Sequence, residues 1–357
     1  MKTPSAFIIG AAKKQDEVGS LEQVLSLESQ LLQRGITPKH LVIEPLQADW
    51  HSPEKEHHFR SGCAPIEALA TAKKLIENGE AAVVISGEDH IKTAYSREKR
   101  LSKMAVYGQS YPLTQAYTDL AHAFSEHHTI TAQQFKEFSS ALFENYQISF
   151  RNALSDSFTP ELLPDLRWHK PITDLFRGVD CANPMVDFSG RLLLTRADIA
   201  EQLGVDKKQW LKVKAVGLSR LDGDGQDFLT DISRYEHLQQ AYQQACDEAG
   251  IDFVHLFKGG DALLETYTCY PVVPMAFLLV SGLVDVLEDI PDFLAEHSIT
   301  ITGGMNLAKA AWNNPALNAL VLMHHRLCNG QEKLGLIHGN GGLGYRQGIA
   351  IVERAYA

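Results

Sequence analysis

Two cysteines stand where a helix should begin. Cys63-Ala64-Pro65 and Cys269-Tyr270-Pro271 both read Cys-x-Pro ahead of a run with helical spacing. A thiol in that position faces unpaired backbone N–H groups and the positive end of the helix dipole, and both favour thiolate over thiol. Pro65 at an early helical position fits such a start. Ser61, Gly62 and Ala64 are small enough to let a carbonyl carbon approach the Cys63 sulfur. The chemistry these features imply is covalent catalysis, with Cys63 as nucleophile and Cys269, framed by the bulkier Tyr267 and Tyr270, sharing its site. Cys181, Cys246 and Cys328 lack such a setting and read as packing.

His338 is a candidate base directly before Gly339-Asn340-Gly341-Gly342-Leu343-Gly344. The glycine run matches Gly-x-Gly-x-x-Gly, but it leads into a strand rather than a helix, so it is not a dinucleotide fingerprint. A tight turn that brings backbone N–H groups near a substrate is the better reading. Three adjacent histidine pairs, His57-His58, His127-His128 and His324-His325, point their rings apart and do not chelate. Asp222-Gly223-Asp224-Gly225 lacks the remaining ligands of a calcium loop and reads as a turn. No metal and no permanently bound cofactor is expected.

The elements that must carry these residues alternate between strand and helix. Strands are expected at Ser5–Gly10, Ala81–Gly87, Arg191–Thr195, Trp210–Val216, Ile299–Gly304, Leu334–His338 and Gly348–Glu353. Helices are expected at Leu21–Arg34, Ala64–Asn78, Arg196–Leu203, Ile232–Ala249, Cys269–Leu279 and Pro315–Cys328. This is the α/β pattern, interrupted by a helical insertion from about 91 to 180. Each Cys-x-Pro helix leads to a strand ending at glycine, which reads as a weak internal duplication with the two cysteines at matching points. The halves divide as 1–205 and 206–357.

With 357 residues, 45% hydrophobic and 22% charged, the chain has an ordinary globular composition. A formal charge of −11 argues against a nucleic-acid partner. The apolar run Ala6–Ala12 stops at Lys13-Lys14 and is not a signal peptide, and Val272–Leu287 is too interrupted to span a membrane. Five cysteines without paired spacing point to reduced thiols and a cytoplasmic location.

Arg60-Ser61-Gly62-Cys63-Ala64-Pro65-Ile66-Glu67-Ala68-Leu69-Ala70 resembles the nucleophile segment of thiolases, and Val83–Glu88 the strand that follows it there. Tyr111–Pro171 resembles the helical loop region of the sterol-carrier-protein type of thiolase, and Cys181–Leu194 its crossover into the second half. Glu265–Pro271, Thr302-Gly303-Gly304, Asn313-Asn314 and Gly339–Gly342 are similar to segments of divergent bacterial thiolase-like proteins. The resemblance implies a five-layered αβαβα fold of two similar halves, a homodimer, and an acyl-CoA acyltransferase acting in carbon–carbon bond formation or thiolysis. Coenzyme A or acyl-CoA would be the substrate. In that frame Cys63 takes the acyl group, Cys269 is the second cysteine, and His338 falls near the C-terminal Cys-x-Gly position. Where the family has Gly-His-Pro, the chain reads Met305–Ala311 without histidine. The alternative is therefore a catalytically degenerate thiolase-like subunit that binds acyl-CoA or an enzyme partner. A thiol redox pair of Cys63 and Cys269 is a third reading.

Overall fold

A computed structural model describes residues 4–356. Its main strands are β1 (Phe7–Gln15), β2 (Lys39–Ile43), β3 (Ala82–His90), β4 (Asp187–Thr195), β5 (Leu211–Arg220), β6 (Ala262–Glu265), β7 (Leu334–Gly341) and β8 (Arg346–Arg354). They lie side by side in the order β2-β3-β4-β1-β5-β8-β7-β6. The first half of that order repeats in the second. β2 and β3 run parallel, β3 pairs antiparallel with β4, and β4 antiparallel with β1. In the same way β6 runs parallel to β7, β7 antiparallel to β8, and β8 antiparallel to β5. Strand pairing joins the two units through β1 and β5, at Phe7↔Lys212 and Ile8↔Leu211.

The helices obey the same repeat. α1 (Glu22–Gln33) and α2 (Ala64–Glu77) flank β2 in sequence; after the insertion helices α3 (Arg97–Met104), α4 (Leu113–His128) and α5 (Ala132–Leu154), α6 (Glu236–Ala249) precedes β6. Two further helices, α7 (Val272–Val280) and α8 (Pro315–Asn329), lie between β6 and β7. α2 and α8 are buried along most of their length and pack on each other between the two sheet halves. Each carries its exposed polar residues toward its C-terminal end, Lys74 in α2 and His325 and Arg326 in α8, and buries most of the rest, as a middle layer requires. α1 covers the outer face of the first half and α6 that of the second. The layers are thus helix, sheet, helix pair, sheet, helix: the αβαβα arrangement, with three apolar clusters between them.

Several expectations change. Within the repeat, α2 corresponds to α8, since each immediately precedes the strand parallel to its neighbour. The counterpart of Cys63 is therefore Asn314, the residue before α8, and not Cys269. Cys269 also does not begin a helix, because α7 starts at Val272 with Pro271 as its N-cap. The strand expected at Ile299–Gly304 is absent. There the Glu265 carboxylate accepts the N–H groups of Ile301 (2.6 Å) and Thr302 (3.0 Å) and the Thr302 hydroxyl (2.6 Å), which takes these groups out of any ladder. The short β2 and β6 lack the composition signal of the other strands and were not anticipated. The helix expected over Ile232–Ala249 breaks at Tyr235, whose φ of 52° is left-handed.

α6 crosses β5 at Gly217, where an added Cβ would sit 1.9 Å from the Ala241 carbonyl oxygen. Backbone cannot yield as a side chain can, so Gly217→Ala is expected to cost about 1–3 kcal/mol. Urea denaturation should show a lower midpoint with an unchanged slope; an unshifted midpoint would show that the contact is loose.

Candidate functional site on the outer face of the second sheet half

The site begins with a turn. Ser61 adopts a left-handed φ of 78°, a conformation that costs a non-glycine residue about 1–3 kcal/mol unless its surroundings hold it. Asn313 holds it. Its Oδ1 accepts the Ser61 N–H at 3.0 Å while its Nδ2 donates to the Glu44 carbonyl at 2.8 Å. The turn delivers Gly62 and Cys63 onto the β7–β8 hairpin as α2 starts.

That landing surface is made of glycine. Gly339 and Gly341 alternate along β7 on one face, and Gly348 lies opposite Gly339 on β8. A Cβ on Gly348 would lie 2.7 Å from the Cys63 sulfur; one on Gly339 would meet Ile66 at 2.8 Å, and one on Gly341 would meet Ser61 at 2.6 Å. The Cys63 side chain therefore presses into the sheet, in the middle apolar layer, and is 0% exposed. Its thiol is pushed well above the ordinary range by burial first and by the Glu67 carboxylate second, with Arg346 opposing. This reverses the expected ionisation. The helix start has few donors left for the sulfur: the Cys63 N–H goes to the Ser61 hydroxyl, the Ala64 N–H to the Ser61 carbonyl, and Pro65 has none.

His338 and Asn340 occupy the alternate positions of β7 and so point to the other face, where His338 stacks on Phe277 of α7 at 5.0 Å. There they belong to one chain of donors. The Tyr267 N–H donates to His338 Nδ1 (3.4 Å), and His338 Nε2–H to Gln347 Oε1 (2.8 Å). Gln347 Nε2 donates to Asn340 Oδ1 (2.7 Å), and Asn340 Nδ2 to the Tyr117 hydroxyl (3.3 Å). That hydroxyl donates to the Gly342 carbonyl (2.9 Å) and accepts from the Cys269 thiol (3.4 Å). Both nitrogens of His338 are engaged, one as acceptor and one as donor. Burial lowers its pKa to about 4. The ring is held neutral in one tautomer with no free lone pair, so it orients Gln347 in this arrangement and is not placed as a base toward either thiol.

A cavity of about 560 Å³ opens at the end of this chain. Its polar end is Cys269, Tyr117, Tyr267 and Asn340; Leu101, Met104 and Leu113 of the insertion form an apolar wall, and among the described residues no charged side chain lines it. Cys269 is 7% exposed and is the thiol that reaches the cavity, its pKa pushed up to about 12 by burial. Of the Cys63 segment, Gly62 lines the cavity and Cys63 does not. The Tyr267 hydroxyl lies 1.9 Å from the point a Cβ on Gly62 would occupy, filling the space a side chain there would need. The structure thus brings Cys269 to a cavity, with His338 linked to it at a distance, and leaves Cys63 on the opposite face of the β7–β8 pair. Tyr117 and Gln347 were missed, and Gly62 and Asn340 were read only as a small neighbour of Cys63 and as part of a turn. Asn340 was visible as the one polar residue within the glycine run, whereas Tyr117 sits in an insertion helix without a distinguishing motif. The glycine run is also more than a turn. Gly339 and Gly341 are strand residues cleared for α2, and only Gly342 and Gly344, with φ of 62° and 127°, make the reversal.

No family model and no curated protein sequence matches the chain. Solved structures do. A monomeric SCP2-thiolase-like protein type 1 from Mycobacterium smegmatis is similar over 100% of this chain and 79% of its own, with 16% identity and a TM-score of 0.70. The Acat5 thiolase of Ascaris suum, solved in complex with coenzyme A, is similar over 98% of this chain and 100% of its own, at 12% identity and a TM-score of 0.61. The Ltp2–ChsH2(DUF35) aldolase is similar over 99% of each chain, at 14% identity and a TM-score of 0.64. The chain has the thiolase-like fold of these structures.

Thiol alkylation separates the two cysteines. In the native protein Cys269 should react with a small maleimide while Cys63 stays protected until denaturant is added. The Cys269 rate should rise about tenfold per pH unit from about pH 7 to about pH 9, because only the thiolate reacts and its pKa lies far above that range. A plateau near the ordinary thiol value of about 8.5, or early modification of Cys63, would contradict this geometry.

Proposed function

We propose that the protein is a thiolase-type acyltransferase that accepts the acyl group of an acyl-CoA on Cys269. One observation carries the reading: the largely apolar cavity ends on a thiol surrounded by hydroxyl and amide groups. An acyl chain has an apolar wall to lie on, and its thioester carbonyl comes to the polar end. The Cys269 sulfur attacks the carbonyl carbon, a new sulfur–carbon bond forms, and the bond to the coenzyme A sulfur breaks. The thiol proton ends on the departing coenzyme A thiolate, so the exchange balances without a further reactant. The Tyr117 hydroxyl sits where it can turn from Gly342 to donate to a Cys269 thiolate. The Tyr267 hydroxyl lines the same end, positioned for the carbonyl oxygen as charge develops there.

The role first given to Cys63 passes in this reading to Cys269, because Cys63 is fully buried and does not line the cavity. Transfer onward in carbon–carbon bond formation or thiolysis, a cytoplasmic homodimer, and acyl-CoA as the donor complete the proposal on the strength of the fold class.

Incubation with octanoyl-CoA followed by peptide mass mapping tests it. An octanoyl mark on the Cys269 peptide is expected, lost in Cys269→Ala and retained in Cys63→Ala. A mark on Cys63 would move the chemistry back across the sheet. Binding without any mark would make the chain a thioester-binding relative without transfer activity.

A further inference from the structure

A second cavity, of about 190 Å³, lies between α5 and the segment 169–180 that closes the insertion. That segment is folded back on itself by its own bonds. Pro171 and Arg177 pair as an isolated bridge, and the Ile172 N–H donates to the Phe176 carbonyl at 2.8 Å. The Thr173 hydroxyl oxygen accepts the Phe176 N–H at 3.0 Å. Pro171, Leu175 and Phe176 give the cavity a largely apolar wall. A wall fixed in this way lowers the ordering cost of binding.

The second observation is the charge that lines the same cavity. Lys136 of α5, His169 and Arg177 all border it. The Phe143 ring carries two of them, with the Arg177 guanidinium carbon 6.0 Å and the His169 ring 5.7 Å from its centre. Two carboxylates also line the cavity, and both are engaged. Buried Asp180 accepts Arg177 Nε at 3.0 Å, Nη2 at 2.7 Å and the backbone N–H at 2.7 Å, while Asp174 pairs with His122 at 2.8 Å. Arg177 Nη1, the Lys136 ammonium and the His169 ring are left without an acceptor among the described residues. An apolar chamber with three unspent donors fits a short hydrocarbon body ending in one carboxylate. A neutral molecule would leave the donors unpaired, and an inorganic anion would leave the apolar wall unfilled.

The third observation is what stands behind the wall. The Phe176 ring lies 5.4 Å from Tyr270, Tyr270 stacks on Tyr117 at 4.0 Å, and the Tyr117 hydroxyl accepts from the Cys269 thiol. Two residues beyond Asp180, the Ala182 N–H donates to the Cys269 carbonyl at 2.8 Å. The small cavity is thus joined to the larger one by contiguous packed groups, the physical requirement for coupling between sites.

We propose that this second cavity is a regulatory site for a small organic monocarboxylate, whose binding steadies Phe176, Tyr270 and Tyr117 and slows reaction at the Cys269 thiol. The biological meaning of that slowing rests on the acyl-transfer reading of Cys269; the binding site itself does not.

The test uses hexanoate, with 1-hexanol as the same hydrocarbon body without charge, on wild type and on Lys136→Gln/His169→Gln. Both replaced side chains are exposed, so the variant keeps the Arg177–Asp180 pair and the loop it holds. Calorimetry on wild type should give a hexanoate Kd on the order of 1 mM. Binding should be about tenfold weaker or more for 1-hexanol, and for hexanoate on the variant. Saturating hexanoate should slow maleimide modification of Cys269 about fivefold in wild type, and the same concentration should leave the variant rate nearly unchanged. Equal binding of 1-hexanol would rule out a carboxylate site. Binding and slowing that persist undiminished in the variant would put hexanoate in the larger cavity and overturn the assignment. Binding without slowing would overturn the coupling. Maleimide reports the thiol without any acyl transfer, so a missing octanoyl mark on Cys269 would defeat the proposed function and leave this site standing.

Discussion

The molecule is organised by how closely a helix start approaches a sheet. Gly339, Gly341 and Gly348 clear one face of the β7–β8 hairpin, and the first turn of α2 settles into the space. Any side chain on that face would push α2 outward, and with it the strained Ser61 turn and Gly62. The approach decides which atoms share a compartment. It seals the Cys63 sulfur against the sheet, aims the backbone of Gly62 at the cavity, and gives the Tyr267 hydroxyl a place over Gly62. The buried Arg346–Glu67 pair, bridging β8 and α2 on the same face, ties the two elements at a second point, and Ser52 satisfies the other Glu67 oxygen at 2.9 Å. Breaking such a pair from one side is costly, because it strands a buried charge.

The opposite face of the same hairpin is governed by hydrogen bonds. From the Tyr267 backbone through His338, Gln347 and Asn340 to Tyr117, each group donates to the next, so every tautomer and amide orientation is fixed by its neighbours. A fully satisfied buried chain of this kind rigidifies its members. Its end point is the Cys269 thiol, held protonated as a donor to Tyr117. The sheet is thus two-sided: hydrocarbon and the buried Cys63 sulfur toward the middle layer, an oriented polar chain and the Cys269 sulfur toward the cavity.

Much of the architecture was legible in the sequence. Apolar strands bounded by glycine, helices ended by Gly79 and Gly250, and the apolar N-terminal stretches of the middle helices announce themselves by composition and period, and the layered α/β order follows from them. The site was less legible, for definite reasons. Cys63 does stand at a helix start, as its spacing indicates, but sequence does not say which way an N-cap side chain points or whether the first-turn donors are already taken. Both questions are settled by Ser61 and by glycines almost three hundred residues away. The matching Cys-x-Pro motifs misled because the true repeat pairs α2 with α8, and only strand order shows that. His338 was singled out as a candidate base from its place before the glycine run, yet its hydrogen bonds are set by Gln347 and by a backbone N–H, partners that no spacing rule connects. Tyr117 comes from the insertion, which has no counterpart in the other half.

A structure of the protein after reaction with octanoyl-CoA measures the central claim most directly. The account predicts electron density continuous with the Cys269 sulfur, the alkyl chain against Leu101 and Met104, and the Tyr267 ring still seated over Gly62. Density joined instead to the Cys63 sulfur would require that ring to leave Gly62 and α2 to lift from the glycine face, and would contradict it.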